Sequence, residues 1–257
     1  MILAILQARV SSTRLPGKVL KPLLGLPMII RQVERVRRAS LIDELVVATS
    51  IESSDDELEQ VCLKNDIACF RGSLDDVLDR FYQAAARFQP EYVVRLTGDC
   101  PLADPDIINQ VIKLCRDGDF DYASSALEPT FPDGLDAEAF RFSALASAWE
   151  EATLPSHREH VTPYIYTNPL MYRIGSFKGL EDISYLRWTV DEPVDFELVR
   201  RIYESLYPTN NSFDTQDILE LLRQRPELAS FNKQHERNEG YQHSLKKDTI
   251  YLKAGGR

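Results

Sequence analysis

Between residues 7 and 18 the chain reads Gln7-Ala-Arg-Val-Ser-Ser-Thr-Arg-Leu-Pro-Gly-Lys18. This gathers two guanidinium groups, an ammonium, three hydroxyls and a glycine into one short stretch. Guanidinium forks match phosphate oxygens, and successive backbone N–H groups in such a loop form a concave donor surface for an anion. The spacing is neither GxxxxGK[ST] nor GxGxxG, which sets aside a Walker A loop and a dinucleotide fingerprint. What is left is a phosphate site of another kind or a solvated basic loop. Much later come two carboxylates, Asp99 after Gly98 and Asp191 in Thr189-Val-Asp-Glu-Pro193. Hard oxygen donors of this type hold Mg²⁺ against a triphosphate, an ion that asks for only one or two protein ligands. Aspartate is also a common turn and cap residue, so residue type alone does not pair them.

Other candidates have plainer readings. Asp117-Gly118-Asp119 imitates the DxD motif of glycosyltransferases but falls between a predicted helix and strand, where it reads as a turn. Glu52, Asp55, Asp56, Glu57 and Glu59 read as a solvated helix start favoured by the helix dipole. His157 and His160 have the spacing of a zinc pair without a third ligand nearby.

The elements that must position these residues alternate along the first half, as β/α units around a mainly parallel sheet do. Strands are predicted at Ile2–Gln7, Glu44–Thr49, Ala68–Phe70, Tyr92–Leu96 and Asp121–Ser124. Helices are predicted at Pro27–Arg38, Ser54–Asn65, Asp75–Phe88 and Asp104–Arg116, with Ser54 and Glu57 as a capping box. Ligands of such sheets sit beyond the carboxyl ends of the strands, in loops 8–18, 49–54, 71–75 and 97–104. The second half is less regular, with an extended stretch within Tyr164–Ile174 and helices at Asp195–Tyr207 and Thr215–Gln224. From Pro226 the chain turns polar and reads as a tail, packed on the body or on a partner subunit and disordered at its end. We therefore expect a domain over 1–225 followed by a tail over 226–257.

With 257 residues, 44% of them hydrophobic, there is enough material for one sizeable core. No apolar run approaches the roughly 20 residues of a membrane span, and the apolar N-terminus lacks the basic flank and cleavage site of a secretory signal. Four cysteines without a CxxC pair fit a reducing cytoplasm. The net charge of −10 argues against general nucleic-acid binding, yet residues 1–38 carry eight Lys or Arg against Glu34 alone. A basic patch of +7 in a chain whose remainder is −17 suits a small polyanion such as a triphosphate.

The string ARxxSxRLPxK resembles the signature of the 3-deoxy-manno-octulosonate and sialic-acid cytidylyltransferases. QARVSSTRLPGKVL is most similar to their spore-coat polysaccharide (SpsF-type) relatives. RGSLDDVLDRFYQAA (71–85), VVRLTGDCPLADP (93–105), FPDGLDAEAF (131–140), REHVTPYIY (158–166), LRWTVDEPVDFELV (186–199) and NEGYQHSLKKD (238–248) continue the likeness in order. The resemblance implies a Rossmann-like nucleotide-diphospho-sugar transferase fold of α/β class, with a mainly parallel sheet and a smaller subregion over 129–175 for the sugar and for a dimer contact.

It further implies that Arg9, Arg14 and Lys18 hold CTP, with Ala8 and Thr97 beside it, and that Asp99 and Asp191 hold Mg²⁺. Sialic-acid enzymes carry another Asp where Thr189 stands, so one metal ion is the expectation at that end. Arg71 and Ser73 lie in a strand-to-helix loop suited to base-edge hydrogen bonds, the region the family uses for its nucleobase. For the acceptor, Asp133, Asp136 and Glu138 offer partners for sugar hydroxyls, and Arg158 and His160 for a carboxylate or phosphate. The implied protein is a cytoplasmic homodimer that transfers CMP to a sugar, a keto-sugar acid of surface polysaccharide. A glycosyltransferase using a preformed nucleotide-sugar, a transferase using another NTP and a nucleotide-binding regulatory subunit are the competing readings.

Overall fold

The computed structural model describes residues 1–232, 237 and 239–255. The first strand, β1 (Ile2–Gln7), is apolar through Leu6 because both of its faces are covered. Ile2, Ala4 and Leu6 enter one core, Leu3 and Ile5 the other. β1 pairs in parallel with β4 (Glu44–Ser50) on one side and β6 (Tyr92–Thr97) on the other, and β5 (Ala68–Gly72) extends the parallel part beyond β4. A two-residue-strand hairpin, β2 (Pro22–Leu23) and β3 (Leu26–Pro27), precedes the first helix. On the far side β8 (Glu138–Arg141) runs antiparallel to both β6 and β7 (Tyr122–Ser124), and β9 (Ile174–Ser176) closes the edge. The seven-stranded order is β5-β4-β1-β6-β8-β7-β9.

Helices α1 (Met28–Val36), α2 (Asp56–Lys64), α4 (Pro105–Asp117), α8 (Pro193–Leu206) and α9 (Thr215–Gln224) contribute to the first core. Helices α3 (Val77–Ala86), α5 (Phe142–Glu151) and the short α7 (Pro163–Tyr166) contribute to the second. Each follows from local chemistry: Pro105 sits at the first helical position of α4 while the Asp104 side chain accepts from the N–H groups of Asp106 and Ile107.

Two local expectations do not hold. Ser54 and Glu57 form no capping box: residues Ser53–Asp55 make a 3₁₀ turn, α2 begins at Asp56, and no side chain caps it. Asp55, grouped with a solvated cluster, is fully buried, its carboxylate claimed by other elements. Within Tyr164–Ile174 the chain is helical first. Pro163 starts α7, buried Ile165 anchors it, and Thr167 Oγ1 and Asn168 Nδ2 bond back to the carbonyls of Pro163 and Tyr164, leaving only Ile174 extended.

After α9 the chain ends in α10 (Glu239–Lys253), packed against α6 (Pro155–His160). Asp248 accepts from the Ser156 N–H at 2.8 Å and its hydroxyl at 2.6 Å, and Lys247 pairs with Glu159 at 2.9 Å. The last residues of the predicted tail, 256 and 257, and position 238 of the NEGYQHSLKKD segment lie outside the described residues. Among the described residues no helix is long and apolar enough to cross a membrane.

Candidate active site

The loop after β1 is held from beneath by Asp55. Its carboxylate accepts the Val10 N–H at 2.7 Å and the Ser50 N–H at 3.0 Å, and bonds the Ser50 hydroxyl. Burial alone would raise this carboxyl, but those donors hold it below the ordinary value. Within the loop the N–H of Gly17 closes back on the Val10 carbonyl at 3.0 Å, with Gly17 at φ +70°, and Lys18 enters a 3₁₀ turn. Across from it, a Cβ on Gly98 would stand 2.8 Å from that of Ala8, so only glycine lets the ends of β1 and β6 close up this far.

Lys18 reaches inward, not toward open solvent. Its Nζ donates to Asp99 Oδ2 at 3.1 Å, Asp191 Oδ1 at 2.9 Å and the Val190 carbonyl at 2.8 Å, which uses all three ammonium hydrogens. Asp99 and Asp191, 92 positions apart in the chain, thus converge on one nitrogen. Burial would raise the Asp99 carboxyl, but Lys18 and the Thr97 and Cys100 side chains bring it down to about 2. Burial likewise works against the Lys18 charge, and the two carboxylates outweigh it and raise the pKa.

Asp191 is fixed by more than lysine. Arg187 donates to its Oδ2 at 2.9 Å while also pairing with Asp133 at 2.8 Å and the fully buried Asp195 at 3.2 Å. Arg14 reaches Asp191 Oδ1 at 3.0 Å and Glu192 at 3.8 Å. Backbone bonds knit the same region, from Trp188 N and Thr189 N to the Asp133 carbonyl and from Val190 N to that of Asp99. Gly134, at φ +109°, lies so close that a Cβ would meet Thr189 N at 2.4 Å.

Two cavities flank the carboxylates. The larger, about 640 Å³, is lined by the loop residues Ala8, Arg9, Arg14 and Lys18, by Asp76 and Arg80, and by Arg158. The smaller, about 410 Å³, is lined by Asp133, Asp136, Glu138, Tyr122, Tyr166 and Arg187. They share Arg14, Arg95, Thr97, Asp99, His160 and Asp191, so they meet at the paired carboxylates.

Not every candidate residue lies where its type suggested. Arg71 lines neither cavity. Its guanidinium is taken by Asp56 at 2.7 Å, Glu59 at 3.0 Å and the carbonyls of Ser50 and Glu52, because α2 presents those acids to the end of β5. Ser73 also stays outside, its hydroxyl accepting the Asp76 N–H. Arg158 lies at the larger cavity, bound to Asp76 through Nε and Nη2 and to the Trp149 carbonyl, not at the smaller one. Glu138 faces the smaller cavity already committed: Tyr122 and Thr162 donate to Oε1 at 2.6 Å each, and Arg95 pairs with Oε2. Asp133 and Asp136 lie there too, Asp136 paired with Arg237. Burial and the neighbouring carboxylates push Asp136 up to about 7 despite that partner. His160 bonds Ser244 at 2.9 Å, and burial beside Arg95 lowers it to about 4, so the ring is neutral near pH 7.

Residue type and spacing missed four contributors: Asp55, Arg80, Arg95 and Arg187. Arg80, in the first turn of α3, is 2% exposed and bonded to the Ser73 carbonyl, with no partner for Nε among the described residues. Burial and the nearby Arg9 lower it to about 10. Arg9 and Arg80 line the same cavity. Arg95 carried a usable signal, a charge in the middle of the apolar strand VVRLT, which a buried strand tolerates only with a partner.

A cytidylyltransferase family model matches residues 3–238. The chain belongs to the cytidylyltransferase family. It is similar to the spore coat polysaccharide biosynthesis protein SpsF of Bacillus subtilis, 34% identical over 89% of this chain and 97% of that one. A 3-deoxy-manno-octulosonate cytidylyltransferase of Arabidopsis thaliana is 36% identical over 52% of this chain and 47% of its own. The solved structure of a cytidylyltransferase from Leptospira borgpetersenii superposes with a TM-score of 0.85 at 30% identity, covering 92% of this chain and 99% of that one. The family member described here is thus an enzyme, and its sheet is that of the nucleotide-diphospho-sugar transferase fold.

Proposed function

We propose that this cytidylyltransferase transfers CMP from CTP to a sugar hydroxyl and releases pyrophosphate, with Mg²⁺ held by Asp99 and Asp191. The observation that carries the reading is the pair of cavities meeting at these two carboxylates. A nucleotide in the larger and an acceptor in the smaller would have their reacting atoms at the shared wall. Two hard oxygen donors converging on one point, with room beside them, fit a magnesium ion that keeps waters and phosphate oxygens as its other ligands. When bound, the ion supplies charge neutralisation to the triphosphate and lowers the cost of ionising the acceptor hydroxyl.

The protein residues do the positioning. Arg9, Arg14 and Arg80 bring positive charge to the larger cavity, where they would hold the triphosphate and stabilise the leaving pyrophosphate. The acceptor oxygen forms a bond to the α-phosphorus as the bond to the β-bridging oxygen breaks. Pyrophosphate carries away the electron pair, and the hydroxyl proton passes to solvent. Asp133 and His160 stand at the smaller cavity to orient the sugar.

The acceptor is read as a keto-sugar acid of surface polysaccharide, in keeping with the names of the SpsF and 3-deoxy-manno-octulosonate relatives. Residues 1–225 form the transferase domain in this reading and 226–257 a C-terminal appendage. The enzyme works in the cytoplasm as a homodimer through segment 129–175, where Leu170 and Met171 are exposed apolar residues. The test is pyrophosphate release with Mg²⁺, each NTP in turn and a panel of sugar acids and sugar phosphates. CTP-dependent release that Asp99→Ala abolishes is the expected result. Release undiminished in that variant refutes the metal assignment, and consumption of a preformed nucleotide-sugar instead refutes the reaction.

A further inference from the structure

The two carboxylates assigned to the metal are already bound, to the protein's own lysine. The Lys18 side chain is 11% exposed, and its ammonium bonds Asp99 Oδ2, Asp191 Oδ1 and the Val190 carbonyl with no hydrogen left over. Asp191 Oδ1 is shared with Arg14, while Oδ2 is held by Arg187. These supports differ in kind. Arg187 is 8% exposed and held by ion pairs to Asp133, Asp191 and Asp195 at once, so its departure would break three contacts. Lys18 sits on a flexible four-carbon stem at the wall of the larger cavity, beside Arg9 and Arg14, where a triphosphate would lie.

From this we infer that Lys18 is the resident counter-ion of the metal site. A divalent cation enters by displacing the ammonium from Asp99 and Asp191, and does so together with the nucleotide, whose phosphates receive the displaced lysine. Charge explains the coupling. Without nucleotide, a dication must reach Asp99 and Asp191 while the Lys18 ammonium stands 2.9–3.1 Å from both and the Arg14 guanidinium 3.0 Å from Asp191, and like charges at these distances repel strongly in a partly buried site. The triphosphate reverses that balance and gives the ammonium somewhere to go. The protein then holds metal only when substrate is present. This inference rests on the proposed reading of Asp99 and Asp191.

The test is Mn²⁺ binding, counted by electron paramagnetic resonance on the intact protein without nucleotide, in wild type, Lys18→Met and Lys18→Gln, each checked for folding by circular dichroism. The variants should bind Mn²⁺ at least about tenfold more tightly than wild type, since a neighbouring unit charge is removed. CTP should tighten Mn²⁺ binding in wild type by a similar factor. Equal or weaker nucleotide-free binding in the folded variants overturns the exchange. A second measurement needs no variant: the ¹⁵Nζ resonance of Lys18 in ¹⁵N-lysine-labelled protein should keep its chemical shift with Mg²⁺ alone and move with Mg²⁺ and CTP as the ammonium leaves the carboxylates for phosphate oxygens. An unmoved Lys18 resonance in the CTP complex overturns the inference. Wild-type pyrophosphate release alongside either negative result refutes the exchange alone, whereas failure to bind CTP at all refutes both readings.

Discussion

Replacing Asp55 by alanine would test whether the phosphate loop is held by the buried acid beneath it. The carboxylate accepts from the Val10 N–H, the Ser50 N–H and the Ser50 hydroxyl. A hydrogen bond to a charged group is worth about 1.5–3 kcal/mol. The three share one charge and Val10 lies near water, so we expect a loss of about 3 kcal/mol in unfolding free energy. For a chain of this size that lowers Tm by about 6–12 °C. Asp55→Asn should be no milder, because its amide turns a donor toward N–H groups that need an acceptor. The folded-state pKa of Asp55 lies below the ordinary 3.8, so its stabilisation is present above about pH 4 and lost as pH falls through the folded value. The deficit of the variant should therefore shrink below pH 4. Urea unfolding across pH, with CTP titration calorimetry, measures both consequences. A variant with wild-type Tm and CTP affinity would refute the anchoring argument.

Further outcomes follow from the same contacts. Arg71→Ala should leave CTP affinity unchanged, since that guanidinium serves Asp56 and Glu59; a marked loss by calorimetry would restore Arg71 to the base site. Arg80→Met should weaken CTP binding while leaving thermal stability equal or higher, because a buried cation lacking a partner at Nε and repelled by Arg9 is removed; lowered stability with intact CTP binding contradicts this. Arg187→Met should slow pyrophosphate release about 10- to 100-fold by loosening Asp191, and an unchanged kcat would show that Asp191 needs no such support. Asp136, with a folded pKa near 7 against 3.8 unfolded, binds a proton in the native state over that interval, so its contribution declines as pH rises from about 4 to 7. His160, lowered to about 4, works in the opposite direction over pH 4 to 6.5. The stability of Asp136→Asn relative to wild type should therefore rise across pH 4 to 7, and a flat difference in urea midpoints would contradict the shift.

The elements were legible from the sequence and the destinations of its long cations were not. Five predicted strands appear within a residue or two of their places, because a strand covered on both faces is mostly apolar, as β1 is through Leu6. Asp99 was legible for the same reason, since the end of a parallel strand is a fixed address. Arg71, Arg158 and Lys18 have fixed backbones but reach far enough to choose among acids that the fold brings near. Each went to carboxylates distant in sequence: Asp56 and Glu59, Asp76, and the pair Asp99 and Asp191. Composition hid this because −17 outside the first 38 residues supplies many acids, and only folding shows which are within reach. Arg80 is the informative exception. It lies one turn into an amphipathic helix, where arginine is ordinarily solvated, yet it is buried with Nε unpaired. A helical repeat reports which face is buried but not that this face turns toward a cavity, and the cavity Arg80 lines is the one that Arg9 and Arg14 also line.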